Sequence, residues 1–273
     1  MQLAKDATST IPIVFFSGDP VEAGLVASLA RPGGNLTGVS DMNVELLPKR
    51  FELLSELAPQ ARVMGLLVYS NSPSAERIIS EVQAAARAKG VEILILKVSS
   101  EIEIDAAFET LVQRQAGALL IGPDAFFFIR RDRLAALTAR HAVPAIFGPR
   151  EFPVAGGLAS YGASLTAINR QLGIYVGRIL KGEKPADLPV RQRTTFELVV
   201  NLKDRQGTWP HRPAIDPRPR RRGHRVRQRM AAVGRTSPFS GKAGGSGLGS
   251  SRQLASAPLP DPPIKLADLP VQR

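Results

Sequence analysis

The residues able to do chemistry in this chain sit in short polar loops, and none of them form a reactive set. There are three histidines, His141, His211 and His224, and no cysteine. Thiolate chemistry, disulfides and Cys-ligated zinc are therefore excluded, and a nucleophile–base–acid triad or a histidine metal cluster lacks its parts. No catalytic residue and no metal ligand is expected, and no cofactor. What remains is a set of small polar and aromatic residues at apparent strand ends: Ser17, Gly18, Asp19, Tyr69, Asn71, Ser72, Asp124 and Tyr161. Such groups suit non-covalent recognition of a small polar solute. Backbone amides near Ser17 and Gly18 can grip a carboxylate, and Asp124 can take an ammonium.

Each of these residues also has a plainer reading. Asp19 before Pro20 is a complete helix N-cap signature, and capping and ligand contact are compatible. Asn71 and Ser72 fit an ordinary turn. Asp124 fits the cap of a helix beginning near Phe126. Phe126, Phe127 and Phe128 are consecutive, so they cannot all face inward from one helical turn, and at least one is expected at a cleft wall or exposed. Tyr161 can stack on a ligand or pack in the core. His141 lies between a helix end and a strand, which suits a cationic C-cap. The glycines of Arg31-Pro-Gly-Gly-Asn35 follow a helix rather than a strand, so they are turn residues and not a phosphate cradle.

The elements that position these loops alternate strictly. Ile11–Phe16 is apolar at every position, as in a strand buried on both faces of a parallel sheet. A helix is expected from Pro20 with Val21, Leu25, Val26 and Leu29 on one face, then a strand at Asn35–Val39. Helices are expected at 44–57, 74–89, 101–115, 123–140 and 164–180. Strands are expected at 62–69, 91–98, 117–122, 144–147, 157–161 and 196–202. This alternation predicts right-handed crossovers and an α/β fold with parallel sheets, whose ligands lie beyond the carboxyl ends of the strands.

Charge divides the chain. Its net charge is +12, yet residues 204–273 alone carry 14 basic against 4 acidic side chains, leaving +2 for the first 203. The basic character therefore does not describe a nucleic-acid face on the folded part, and no nucleic-acid partner is expected. Ten of the 22 prolines lie in that tail. Arg218-Pro-Arg-Arg-Arg222 admits an RNA or membrane-surface reading, but a disordered basic segment is the expectation. No apolar run reaches the roughly 18 residues of a membrane span, and Met1–Asp6 shows no signal-peptide core.

Several stretches together carry a resemblance. They are Thr8-Ser-Thr-Ile-Pro-Ile-Val-Phe15, Asp19-Pro-Val-Glu-Ala-Gly-Leu-Val26, Arg31-Pro-Gly-Gly-Asn-Leu-Thr-Gly-Val39, Tyr161-Gly162, Gly173 through Val190, and Phe196-Glu-Leu-Val-Val-Asn-Leu-Lys203. Over about residues 4–203 the chain resembles the ABC transporter substrate-binding proteins of the tryptophan/tyrosine-binding-like family. That resemblance implies a type I periplasmic-binding fold: two parallel-sheet lobes and a hinge closing on a small molecule such as an amino acid. It implies a permease and an ATPase as partners and a periplasmic location. It divides the chain into partial lobe one (1–40), lobe two (41–160), a return segment to lobe one (161–203) and the basic tail (204–273).

The resemblance also departs from the family at both ends. The family opens with a signal peptide and further lobe-one units, so lobe one is expected to be incomplete and the chain cytoplasmic if expressed as written. After Lys203 the family's ending is replaced, and a one-base frame shift there would account for it. Two other classes remain open. One is a periplasmic-binding-like sensor or regulator, which needs a helix-turn-helix or signalling module that neither end supplies. The other is a truncated gene product without function.

Overall fold

The computed structural model describes residues 2–201. The expectation of a disordered tail over 204–273 falls outside the described residues.

The larger of two sheets has strand order β4-β3-β5-β6-β7-β9. Its strands are β3 (Val63–Tyr69), β4 (Glu92–Val98), β5 (Ala118–Ile121), β6 (Ala145–Phe147), β7 (Ala159–Ala163) and β9 (Phe196–Val200). All pair in parallel except β9, which runs antiparallel to β7 and forms one edge of the sheet. Helices cover both faces. On one lie α2 (Leu47–Leu57) and α3 (Ala75–Lys89); on the other lie α4 (Glu101–Gln113), α5 (Ala125–Ile129), α6 (Arg131–Arg140) and α7 (Glu151–Val154). β3 shows why its sequence is apolar throughout. Met64, Leu66 and Val68 face α2 and α3, while Leu67 faces the α4 side. Gly65 is needed there, because a Cβ would stand 2.4 Å from Leu111 Cδ2.

Local chemistry sets the helix ends. Ser100 Oγ accepts from Glu103 N at 3.3 Å while Glu103 Oε2 accepts from Ser99 N at 2.6 Å, a reciprocal cap on α4. Gly90 closes α3 with φ +66°.

The smaller sheet has order β1-β2-β8, all parallel: β1 (Ile13–Ser17), β2 (Leu36–Ser40) and β8 (Arg191–Gln192). Phe15, Leu25, Val26, Leu36 and Val190 form its core. α8 (Leu165–Leu180) packs on β1 and β2, and Tyr175 donates from its hydroxyl to Pro189 O at 2.5 Å. α1 (Gln2–Ala7) precedes this sheet. No helix among the described residues is long and apolar enough to cross a membrane.

Three expectations are corrected. The helix after Pro20 does not form; residues 20–24 close as turns, with Gly24 at φ +63°. The side chains explain this. Val21 and Leu25, four positions apart, would share one face of a helix, yet Leu25 is buried and Val21 is 42% exposed. The single helix expected over 123–140 breaks at Arg130 into α5 and α6. The last strand was expected in the smaller sheet, yet β9 completes the larger one, an antiparallel edge on a parallel sheet.

Candidate functional site

Among the described residues, three chain crossings join the sheets: residues 41–46, Ser164, and residues 193–195. The carboxyl ends of both sheets face each other beside these crossings. A direct link shows it. Arg77, in the first turn of α3, donates through Nη1 to Glu22 Oε2 at 2.7 Å in the loop after β1, and through Nη2 to Glu45 Oε1 at 2.8 Å in the first crossing.

On the smaller lobe, Ser17, Gly18 and Asp19 follow β1. Asp19 Oδ1 accepts from Val21 N at 3.1 Å and Glu22 N at 3.0 Å. The capping reading is thus correct for the carboxylate, although the capped segment is a turn. Ser17 O accepts from Asp41 N at 3.1 Å, and Gly18 O accepts from Ser40 Oγ at 2.5 Å, so neighbouring β2 holds the loop. Gly18 and Asp19 are exposed.

On the larger lobe, Tyr69 ends β3 and Asn71 Nδ2 reaches its hydroxyl at 3.4 Å. Ser72 N donates to Tyr69 O at 3.1 Å, which makes this loop a turn. Asp124 caps α5, accepting from Phe126 N at 2.8 Å. The Phe run resolves as expected of consecutive aromatics: Phe127 is fully buried, while Phe126 and Phe128 are half-buried. Phe126 stacks on Tyr69 with centroids 4.5 Å apart, and the Arg130 guanidinium covers the Phe126 ring at 4.0 Å. Glu101 Oε1 holds Arg130 at 3.1 Å. The result is an aromatic wall braced by a cation.

Tyr161 stands apart from this group. Its ring packs against Phe196, and burial raises its phenol pKa. Its carbonyl accepts from Arg50 Nε at 2.7 Å.

Arg50 leads to residues that sequence reasoning missed. Its guanidinium is fully buried and also donates to Asn43 O at 2.9 Å and Asn43 Oδ1 at 2.7 Å. Asn43 Nδ2 in turn donates to Asp41 Oδ2. Burial pushes the Asp41 carboxyl up to about 7 despite the pull of Arg50. Burial likewise lowers the Arg50 pKa, yet the group stays charged at neutral pH. The sequence offered two faint signals. Asp41 follows β2 as Asp19 nearly follows β1, and Arg50 is a cation on the apolar stripe of Leu47, Phe51 and Leu54.

A groove of about 330 Å³ between α4 and α6, lined by Asp105, Glu109, Arg133 and His141, lies on the outer helical face. Arg133 is already paired there with Glu101 at 3.0 Å and Asp105 at 2.5 Å.

A family model described as ABC transporter substrate binding protein matches residues 1–208. The chain belongs to that family. It is similar to a tyrosine-binding protein of Clostridioides difficile (strain R20291), 27% identical over 202 residues. The match covers 73% of this chain and 57% of that curated relative, so the chain spans little more than half of it. The fold is similar to that of an ABC domain solved in complex with L-Trp from Streptococcus pneumonia, with 29% identity and a TM-score of 0.64 over 74% of this chain and 69% of the other. A LacI family transcriptional regulator from Bifidobacterium animalis shares the fold alone, at 10% identity and a TM-score of 0.50 over 72% and 70% of the two chains. The chain therefore has the type I periplasmic-binding fold.

Proposed function

We propose that this chain is a solute-binding component of an ABC import system, holding a small organic ligand such as an amino acid between its lobes without chemical change. The observation that supports this reading is the Arg77–Glu22 link, which joins the loop after β1 to the helix that follows β3. Ser17 and Gly18 would offer backbone amides to a ligand carboxylate. Asp124 would receive an ammonium, and Asn71 and Ser72 would add hydrogen bonds. Tyr69, backed by Phe126, would contribute an apolar wall. The relatives named for tyrosine and L-Trp support an aromatic amino acid as the first solute to try. In this role the chain would work outside the cytoplasmic membrane, delivering solute to a permease driven by an ATPase. Lobe closure supplies the mechanism, and the hinge absorbs the motion.

Backbone amide NMR tests the assignment even for weak binding. Titration with L-tryptophan, L-phenylalanine and a panel of other amino acids into the millimolar range is expected to shift the amides of Ser17–Asp19, Asn71, Ser72 and Asp124. Shifts confined to other residues, or none with any compound, would remove the reading.

A further inference from the structure

The hinge holds a buried acid and a buried base that solute recognition does not use. Arg50 ties two of the three crossings together. Its Nη1 and Nη2 hold Asn43 in the first, and its Nε holds Tyr161 O, three residues before Ser164 in the second. The third crossing meets the same place, because Arg193 N donates to Ser40 O at 3.0 Å. Asp41 follows Ser40 directly, and its amide anchors Ser17 O. Its Oδ1 faces Gly18, 3.9 Å from where a Cβ would stand. Hinge and candidate ligand loop therefore meet at one carboxyl. The backbone is shaped to admit the guanidinium. A Cβ on Gly148 would stand 2.9 Å from Arg50 Nη2, and one on Gly162 would stand 2.5 Å from Gly148 O.

We propose that Arg50 and Asp41 are positioning residues forming a proton-linked hinge clamp, in which Arg50 fixes the angle between the lobes and the proton on Asp41 sets how firmly that angle is kept. The groups acting on Asp41 are Arg50 from α2, Glu45 from its own crossing and the Asn43 amide. Arg50 spends its hydrogen bonds on Asn43 and Tyr161, so it reaches Asp41 through its field. Dry surroundings favour the neutral acid, while any arrangement that wets Asp41 favours the carboxylate. The clamped arrangement thus takes up a proton relative to a wetted one. Its advantage is full below the ordinary carboxylate pKa of 3.8 and is lost as pH rises through about 7. Between pH 6 and 8 the equilibrium should move by about tenfold toward the wetted form, with saturation above that.

The clamp rests on the two-lobe closure proposed above, but its test needs no solute, so failure to bind one would leave it standing. The chain has no cysteine, so Ala27→Cys and Glu109→Cys place one dye on each lobe. Energy transfer is read from pH 5.5 to 8.5, beside urea unfolding of the unlabelled full chain. The parent should show a pH-dependent inter-lobe distance, and its unfolding constant should rise about tenfold between pH 6 and 8 relative to Asp41→Asn. Asp41→Asn should show neither change, with Asp41→Ser as the second choice if the first does not fold. Arg50→Lys keeps the charge but not the fork, and should broaden the distance distribution at every pH. The clamp is overturned by a parent distance that ignores pH, by the same pH response in the Asp41 variants, or by an unchanged distribution in Arg50→Lys. An unfolding effect without a distance effect also overturns it, because the proton would then be unlinked from the lobe angle.

Discussion

Tyr69 and Phe126 stack ring on ring, with planes 13° from parallel, across the ends of two neighbouring strands. Their coupling should be measurable. Phe126→Ala is expected to cost about 1–2 kcal/mol of stability, since the ring is only half-buried. A double-mutant cycle with Tyr69→Ala should return about 0.5–1.5 kcal/mol of interaction. A coupling near zero in urea unfolding would mean that the rings meet without holding the wall.

Arg77 of α3 and Glu22 of the loop after β1 pair with 35% and 62% of their side chains exposed. Arg77→Gln should therefore change stability by less than about 1 kcal/mol, and by less again in 1 M salt. A larger loss, seen in denaturant midpoints at low and high salt, would show that the pair locks the lobes rather than marking where they face.

Gly162 has no room for a side chain, because the carbonyl of Gly148 closes the space. The obstacle is backbone and cannot swing aside. Gly162→Ala should cost more than about 2 kcal/mol, whereas Gly173→Ala, with nothing within 4 Å, should be neutral or slightly stabilising. Equal thermal midpoints for the two variants would contradict the packing described at the hinge.

The larger lobe should survive limited proteolysis. Its strands are covered on both faces, while Gly182, Glu183, Arg191 and Gln192 in the return segment are exposed. Early cleavage in that segment, followed by trimming of the smaller sheet, should leave a resistant fragment spanning roughly residues 41–160, because Leu47, Phe51 and Leu54 of α2 belong to this core. Mass spectrometry showing cuts scattered through Val63–Phe147 would argue against an independently stable lobe.

Solute affinity should be modest. The smaller sheet has three strands among the described residues, one of them only two residues long, and Phe16 is exposed on it. Such a wall is a poor half of a cleft. Calorimetry with amino acids is expected to find nothing tighter than roughly millimolar, about 4 kcal/mol. A micromolar solute would show that this short lobe suffices.

The order of strands and helices was legible in the sequence because it rests on local periodicity. An unbroken apolar run such as that of β3 marks a strand covered on both faces, and the Ile78, Ile79 and Val82 spacing marks a helix with one buried side. The polar loops at strand ends were legible for the same reason, and so were the caps at Asp19 and Asp124, which need only residues two or three positions away. What tertiary structure decided were relations between distant residues. Arg50 and Tyr161 are 111 positions apart, and nothing local shows that a guanidinium on an apolar helix face will find a carbonyl, an asparagine and two glycines waiting. β9 reads as a strand wherever it pairs, so its period could not choose between sheets. The turn at Pro20–Gly24 defeated a complete N-cap signature because Leu25 and Val26 pack into the core of the smaller sheet while Val21, one helical turn earlier, stays exposed, a placement set by the sheet and not by the local signature. Periodicity states which face of an element is buried. Only the packed chain decides which element it meets, and so which charges end up dry beside one another.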